Sequence, residues 1–256
     1  MIALETIQVA FAMYSALPMP QPEWNKDNMR YAMCAFPLIG LVCAAGWWVW
    51  SAVCLYFDLS YLLHGAGLCL LPVLITGGIH LDGYADTCDA LASNAEPAKK
   101  QEILKDPRCG AFAVIKLCTY FVAYLTLCVV LEPTPRALGC MSCAFVMERA
   151  LSGLSVCRFP LAKTSGLAYT FATAADRKNT GRILYAMQIA AAAGMLALGG
   201  GLVLAAGLLV FWRYRRVTDR QFGGLSGDLA GWFLQRAELW MLAALVFCQL
   251  TYGGIL

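Results

Sequence analysis

Long apolar runs dominate the chain, at residues 31–57, 59–79, 111–131, 137–157 and 229–251. Each reaches the roughly 20 residues that a helix needs to cross a bilayer. A further run, 183–212, is too long for one ordinary span and is interrupted by Gly199, Gly200 and Gly201. Read as a hairpin, its first helix begins near Asn179. Its second runs into Arg213, Arg215 and Arg216, whose long side chains can snorkel outward. The pattern therefore predicts an all-α, polytopic membrane bundle of about seven transmembrane helices. The first 17 residues are too short to cross and are placed at or inside the interface.

Composition agrees. The chain of 256 residues is 60% hydrophobic and 14% charged, against about 25% charged for a soluble domain. No repeat or linker divides it, so one membrane-embedded domain over 1–256 is expected. The N-terminus lacks a basic region, carries Glu5 and is not read as a cleaved signal. Most of the twelve cysteines lie in apolar runs, which fits small core residues rather than disulfides or a zinc site. With seven spans, the loops 18–30, 80–110, 158–182 and 213–228 share one side and carry nearly all the Lys and Arg, Arg136 being the clear exception. The positive-inside rule makes that side cytoplasmic. The other side receives "DLS", "EPTPR", "GGG" and the C-terminal tail.

Several charges fall inside spans: Lys116, Glu148, Arg149, Arg236 and Glu238. Lys116, near a helix start, is expected to snorkel. Glu148 and Arg149 are mid-span and about 100° apart on a helix, so each is expected to face a partner elsewhere in the bundle rather than the other. His64, within an apolar run, is expected to be structural.

The densest chemistry is in "GGIHLDGYADTCDALAS", residues 77–93. As a helix, Asp82, Asp86 and Asp89 fall at i, i+4 and i+7 on one face. Like charges at that spacing destabilise a helix. A divalent cation would offset them, and Mg²⁺ commonly uses one or two carboxylates plus phosphate oxygens. Gly83 suits close approach of a ligand or a second helix. Two further clusters share the same predicted face. "EILKDPRCGAFAV" offers Lys105 and Arg108 beside Gly110, side chains suited to phosphate oxygens. "QFGGLSGDLAGWFLQRAE" places Gly223, Gly224, Ser226, Gly227 and Asp228 before a helix, a setting that suits phosphate. Together they point to metal-assisted phospho-group transfer from a nucleotide-activated donor to an alcohol.

The motifs "HLDGYADTCDAL" (80–91), "ILKDPRCGAF" (103–112) and "GGLSGDLAGWFLQRAE" (223–238) resemble the adenosylcobinamide-GDP ribazoletransferase, or cobalamin 5′-phosphate synthase, family. "FPLIGL" (36–41), "LPMP" (17–20), Arg149 and "SGLAYTF" (165–171) extend the likeness along the chain in the same order. Three positions depart from the family pattern. Ser226 stands where threonine is common, Lys163 where arginine is usual, and Pro107 where serine is usual. A lysine keeps charge but loses the bidentate fork, which bears on phosphate affinity.

The resemblance implies joining of adenosylcobinamide-GDP to α-ribazole or its 5′-phosphate, with GMP released and Mg²⁺ as cofactor. It implies metal binding by Asp82, Asp86, Asp89 and Asp228, and phosphate stabilisation by Lys105 and Arg108. Attack is expected from the ribazole 5′-oxygen, with Asp89 a candidate proton acceptor. His80, Arg149, Lys163, Gly223, Gly224, Ser226, Gly227 and Glu238 are the expected substrate contacts. His80 could instead hold Asp82 or a backbone carbonyl, and Glu238 could instead partner Arg149. The expected partners are these small molecules and the lipid bilayer of a prokaryotic inner membrane, not nucleic acid; the oligomeric state is left open. The rivals are a CDP-alcohol-type phosphotransferase, whose further arginine and later aspartates this chain lacks, and a transporter, which would need inverted repeats and broken midplane helices.

Overall fold

The computed structural model describes residues 2–20 and 23–252, with the backbone alone at Tyr252. The tail expected on the outer side lies outside the described residues. Apart from a single bridge between Leu161 and Leu225, the regular structure is helical: α1 (Ile2–Tyr14), α2 (Lys26–Met29), α3 (Ala32–Tyr56), α4 (Tyr61–Thr76), α5 (Ile79–Ala92), α6 (Pro97–Ile103), α7 (Ala111–Val130), α8 (Pro135–Arg158), α9 (Leu167–Ala174), α10 (Arg177–Ala197), α11 (Gly201–Phe222) and α12 (Gly227–Tyr252).

Four of these, α3, α7, α8 and α12, are long and apolar enough to cross a membrane on their own. The protein is thus a multi-pass membrane bundle. The count of seven spans is not reached on length and composition, which give four, or five with the bent pair of α4 and α5. The run 183–212 does break into two helices at residues 198–200, as a hairpin requires, with Gly199 at φ +84° in the turn. Their polar ends keep α10 and α11 below the apolarity of a free-standing span.

The run 59–79 is the larger departure. It stops as a helix at Thr76, after only 16 residues, because Gly77 and Gly78 both adopt left-handed φ (+67° and +76°). The chain then turns by 94° into α5. The aspartate row is therefore aimed away from α4 rather than continuing along its axis.

Lipid and core faces separate clearly. Only 22% of the α7 span is buried against 83% of the α8 span, so α8 is the central helix and α7 faces lipid. Helices α3, α10 and α12 pack on α8. Helix α1, too short to cross, packs on α3 with Val9 and Ala10 fully buried. The segment 97–103, read as loop, is helix α6, started by Pro97. It docks on α11 through the Gln101 side-chain amide, which donates to the Phe222 carbonyl at 3.0 Å. His64 accepts or donates one hydrogen bond with the Ser51 hydroxyl at 2.9 Å, the structural role expected of it.

Three of the intramembrane charges, Glu148, Arg149 and Glu238, pair inside the bundle. Arg149 is fully buried on α8; its Nη1 lies 2.6 Å from Glu148 Oε1 and its Nη2 3.4 Å from Glu238 Oε1 on α12. Nη1 also donates to the Phe145 carbonyl at 3.1 Å. Glu238 is the distant partner, as the sequence suggests. The adjacent Glu148 pairs as well, against the expectation from helical phase, because long side chains can curl toward each other from positions 100° apart.

Candidate active site

Helices α5 and α12 cross at two glycines. A Cβ on Gly83 would sit 2.8 Å from the Asp228 Cα, and one on Gly231 would sit 2.8 Å from the His80 carbonyl oxygen. Gly83 thus serves the second helix, one of its two expected uses. Small residues let membrane helices approach backbone to backbone. The close crossing sets Asp82 of α5 and Asp228 of α12 on the wall of one cavity of about 240 Å³. Tyr14, Phe36, His80 and Ser152 line it too. A second cavity of about 160 Å³ adjoins it, lined by Lys163, Ser165, Ser226 and Tyr169. Asp228, Gly227 and Leu167 belong to both. The site is therefore two chambers meeting at the start of α12, the smaller one lined by the larger share of polar side chains.

Asp86 lies within electrostatic reach of Asp82, Asp228 and Asp89, so the spaced row and the α12 acid form one negative region. Asp89 has a further neighbour: its carboxylate lies against Gly110, where any Cβ would strike it. Gly110 begins the 20-residue α7, and the positive end of a helix dipole favours an anion there. No three His, Cys, Asp or Glu side chains among the described residues converge as a ready coordination shell. The donor chemistry still suits a hard cation. Asp82 and Asp228 share a wall, and a Mg²⁺ site typically takes only one or two carboxylates, the remaining oxygens coming from water and substrate.

The other expected site residues divide. Lys163 lines the smaller chamber and lies within electrostatic reach of both Asp228 and Lys105. Burial pushes its ammonium below its ordinary value, while Asp228 acts in the opposite sense. Lys105 is exposed in an open depression with Arg108. Arg108 is exposed and forms a local ion pair. Its Nε and Nη2 donate to Asp106 at 2.9 and 2.7 Å, which holds that carboxyl down at about 2. Arg149 and Glu238 are drawn into the internal triad, off both chambers, although Arg149 is close enough to act electrostatically on His80. They correct the expectation of direct substrate contact.

The glycine turn is corrected likewise. The amides of Gly223 and Gly224 both donate to the Thr218 carbonyl and cap α11. The Leu225 amide donates to Pro160, and the Ala162 amide returns a bond to Leu225. Gly224 is needed because a Cβ would sit 2.6 Å from the Ala162 nitrogen. These amides hold residues 160–162 rather than a phosphate. Ser226 stays with the site: its hydroxyl donates to Asp228 Oδ2 at 3.3 Å and accepts from the Leu229 amide at 3.4 Å. His80 is buried, stacks on Tyr14, meets Phe36 edge-on, and leaves Nε2 without a hydrogen-bond partner. Tyr14 and Ser152 were not singled out from the sequence. Ser152 sits three residues beyond Arg149 on α8, a spacing that could have flagged it; Tyr14, at the end of a short apolar helix, gave no signal.

A helical membrane bundle with a two-chambered acidic cavity at its α5–α12 crossing is the class that fold and site define. The profile of the cobalamin-5-phosphate synthase family matches residues 6–246, and the chain belongs to that family. A protein of Lachnoclostridium phytofermentans named adenosylcobinamide-GDP ribazoletransferase is 39% identical over 255 residues, 98% of this chain and 97% of that one. Proteins of the same name from Pseudomonas fluorescens (34% identical, covering 90% and 94%) and Clostridium botulinum strain Eklund 17B (27% identical, covering 91% and 93%) are also similar. No solved structure matches the chain.

Proposed function

We propose that this chain joins adenosylcobinamide-GDP to α-ribazole or α-ribazole 5′-phosphate, giving adenosylcobalamin or its 5′-phosphate and releasing GMP. The reading rests on one observation: a family match across nearly the whole chain converges on a cavity where Asp82 and Asp228 meet. The rival phosphotransferase and transporter readings have no comparable support.

Asp82 and Asp228, with Asp86 and Asp89 behind them, are assigned to hold Mg²⁺. When bound, the ion neutralises charge on the diphosphate and on the departing phosphate. Lys163, backed by Lys105, supplies positive charge to the smaller chamber. Ser226 fixes the Asp228 carboxylate. The apolar walls, Tyr14 and Phe36 among them, suit a ring-bearing substrate and exclude water.

An acceptor hydroxyl oxygen attacks the phosphorus nearer cobinamide. A new P–O bond forms, the P–O bond to the GMP phosphate breaks, and GMP leaves with the bonding electrons. The expected 5′-oxygen cannot be that nucleophile for both acceptors, because the phosphorylated acceptor keeps its 5′-phosphate in the product. A ribose ring hydroxyl serves either. Its proton passes to a carboxylate of the row, Asp89 being the candidate. The loops 18–30, 80–110, 158–182 and 213–228 face the cytoplasm of a prokaryotic inner membrane, supported by their basic content.

The test is GMP release by purified protein from adenosylcobinamide-GDP, with and without α-ribazole and with Mg²⁺ removed by chelation. Ribazole-dependent release that fails on chelation is expected. Turnover of CDP-diacylglycerol instead would transfer the assignment to the rival phosphotransferase.

A further inference from the structure

A separate cavity of about 410 Å³ opens on the other face of α12 and shares no lining residue with the two chambers. Lys116 of α7, Arg213 of α11 and Arg236 of α12 bring three cations to it. Arg213 is close enough to repel Arg236, and Cys88 in the wall is within electrostatic reach of both Arg236 and Lys116. No salt bridge among the described residues engages any of the three. The Arg236 guanidinium lies 5.1 Å over the Trp232 ring, and its Nε is buried without a hydrogen-bond partner. Three like charges around a void, one with an unmet donor, define a site for an anion.

Depth says which anion. Arg213 stands where the apolar run of α11 gives way to its charged end, and Lys116 lies just past the first turn of the apolar α7, so both mark the edge of the apolar layer. Beside them Trp240 in the wall and the neighbouring Trp212 are each about half exposed, at 49% and 51%. Tryptophan is enriched at the headgroup level of membrane proteins. The apolar end of the cavity, at Ala123 and Leu239, leads onto the lipid-facing α7. A soluble phosphate would have to descend into this layer, whereas a phospholipid already places its phosphate there. We propose that this cavity binds the phosphate headgroup of an anionic phospholipid, with its acyl chains along α7.

The test is native mass spectrometry of lipid retained by the full chain released from phosphatidylcholine nanodiscs, with and without phosphatidylglycerol. The wild type should retain the anionic lipid at least about tenfold over the zwitterionic one. Lys116 and Arg213 are exposed, so Lys116→Gln and Arg213→Gln spare the core. Each should cut the preference roughly fivefold, as about 1 kcal/mol per surface cation implies. Arg236→Lys should keep most of the preference and Arg236→Gln should lose it. Equal retention of the two lipids, or an unchanged preference in the double variant Lys116→Gln/Arg213→Gln, overturns the proposal. So does displacement of phosphatidylglycerol by inorganic pyrophosphate at equal concentration, which would make the cavity a soluble-phosphate site.

Discussion

Two groups of acids sit inside this bundle on opposite terms. Glu148 and Glu238 flank Arg149 at 2.6 and 3.4 Å, wholly buried, each acid in contact with the guanidinium. Asp82, Asp86 and Asp228 cluster without any salt bridge among the described residues, with Lys163 the nearest opposing charge acting on Asp228. The first group answers one another within the protein and ties α8 to α12. The second has no ion-pair partner among the described residues and is the group proposed to hold Mg²⁺. An intramembrane charge is thus read by what answers it, not by its depth alone.

Breaking the triad should have the largest effect. Arg149→Met leaves two buried carboxylates without their cation and should destabilise by about 3–5 kcal/mol. The readout is thermal melting in detergent. Adding Glu148→Gln and Glu238→Gln should restore much of the melting temperature; failure to restore it would mean that packing, not charge, dominates there. Next in size is the acidic cavity. Asp82→Asn or Asp228→Asn should cut turnover roughly 10²-fold or more, the scale of losing one electrostatic stabiliser, while melting is unchanged or raised. An acid variant that melts early would place the cavity in the same structural class as the triad. Gly83→Ala or Gly231→Ala should cost about 1–3 kcal/mol by overpacking, and lower turnover by parting Asp82 from Asp228. Lys163→Ala should raise KM for adenosylcobinamide-GDP about tenfold, in keeping with one hydrogen bond to a charged group, with Lys163→Arg at or below the wild-type KM. Smallest of all, Arg108→Ala should leave turnover within about twofold, since its partner is Asp106 and an exposed pair contributes little.

The sequence carried the class of fold and the acid row because both are written in local spacing. Apolar runs mark α3, α7, α8 and α12, and the i, i+4, i+7 aspartates mark α5. What it could not carry depends on distant segments. Gly223 and Gly224 look like a phosphate turn until Thr218 and Pro160 claim the amides of that loop. Arg108 reads as a phosphate ligand by its spacing, and its pairing with Asp106, two residues away, is not visible in that spacing. Tyr14 enters the cavity because α1 packs on α3, a contact between distant segments. The break at Gly77 was hidden inside an apolar run, where nothing but the paired glycines distinguished a turn from a continuing span.

That break also sets a length. At 1.5 Å per residue, the 16 residues of α4 reach about 24 Å, short of the roughly 30 Å of a typical hydrocarbon core. A helix that stops short creates hydrophobic mismatch, which the bilayer relieves by thinning around it. The acidic cavity begins where α4 gives way to α5, so thinning at that corner would bring headgroups toward it. Reconstitution tests this: activity is expected to hold in short-chain bilayers and to fall in long-chain ones, which would strain the α4–α5 corner.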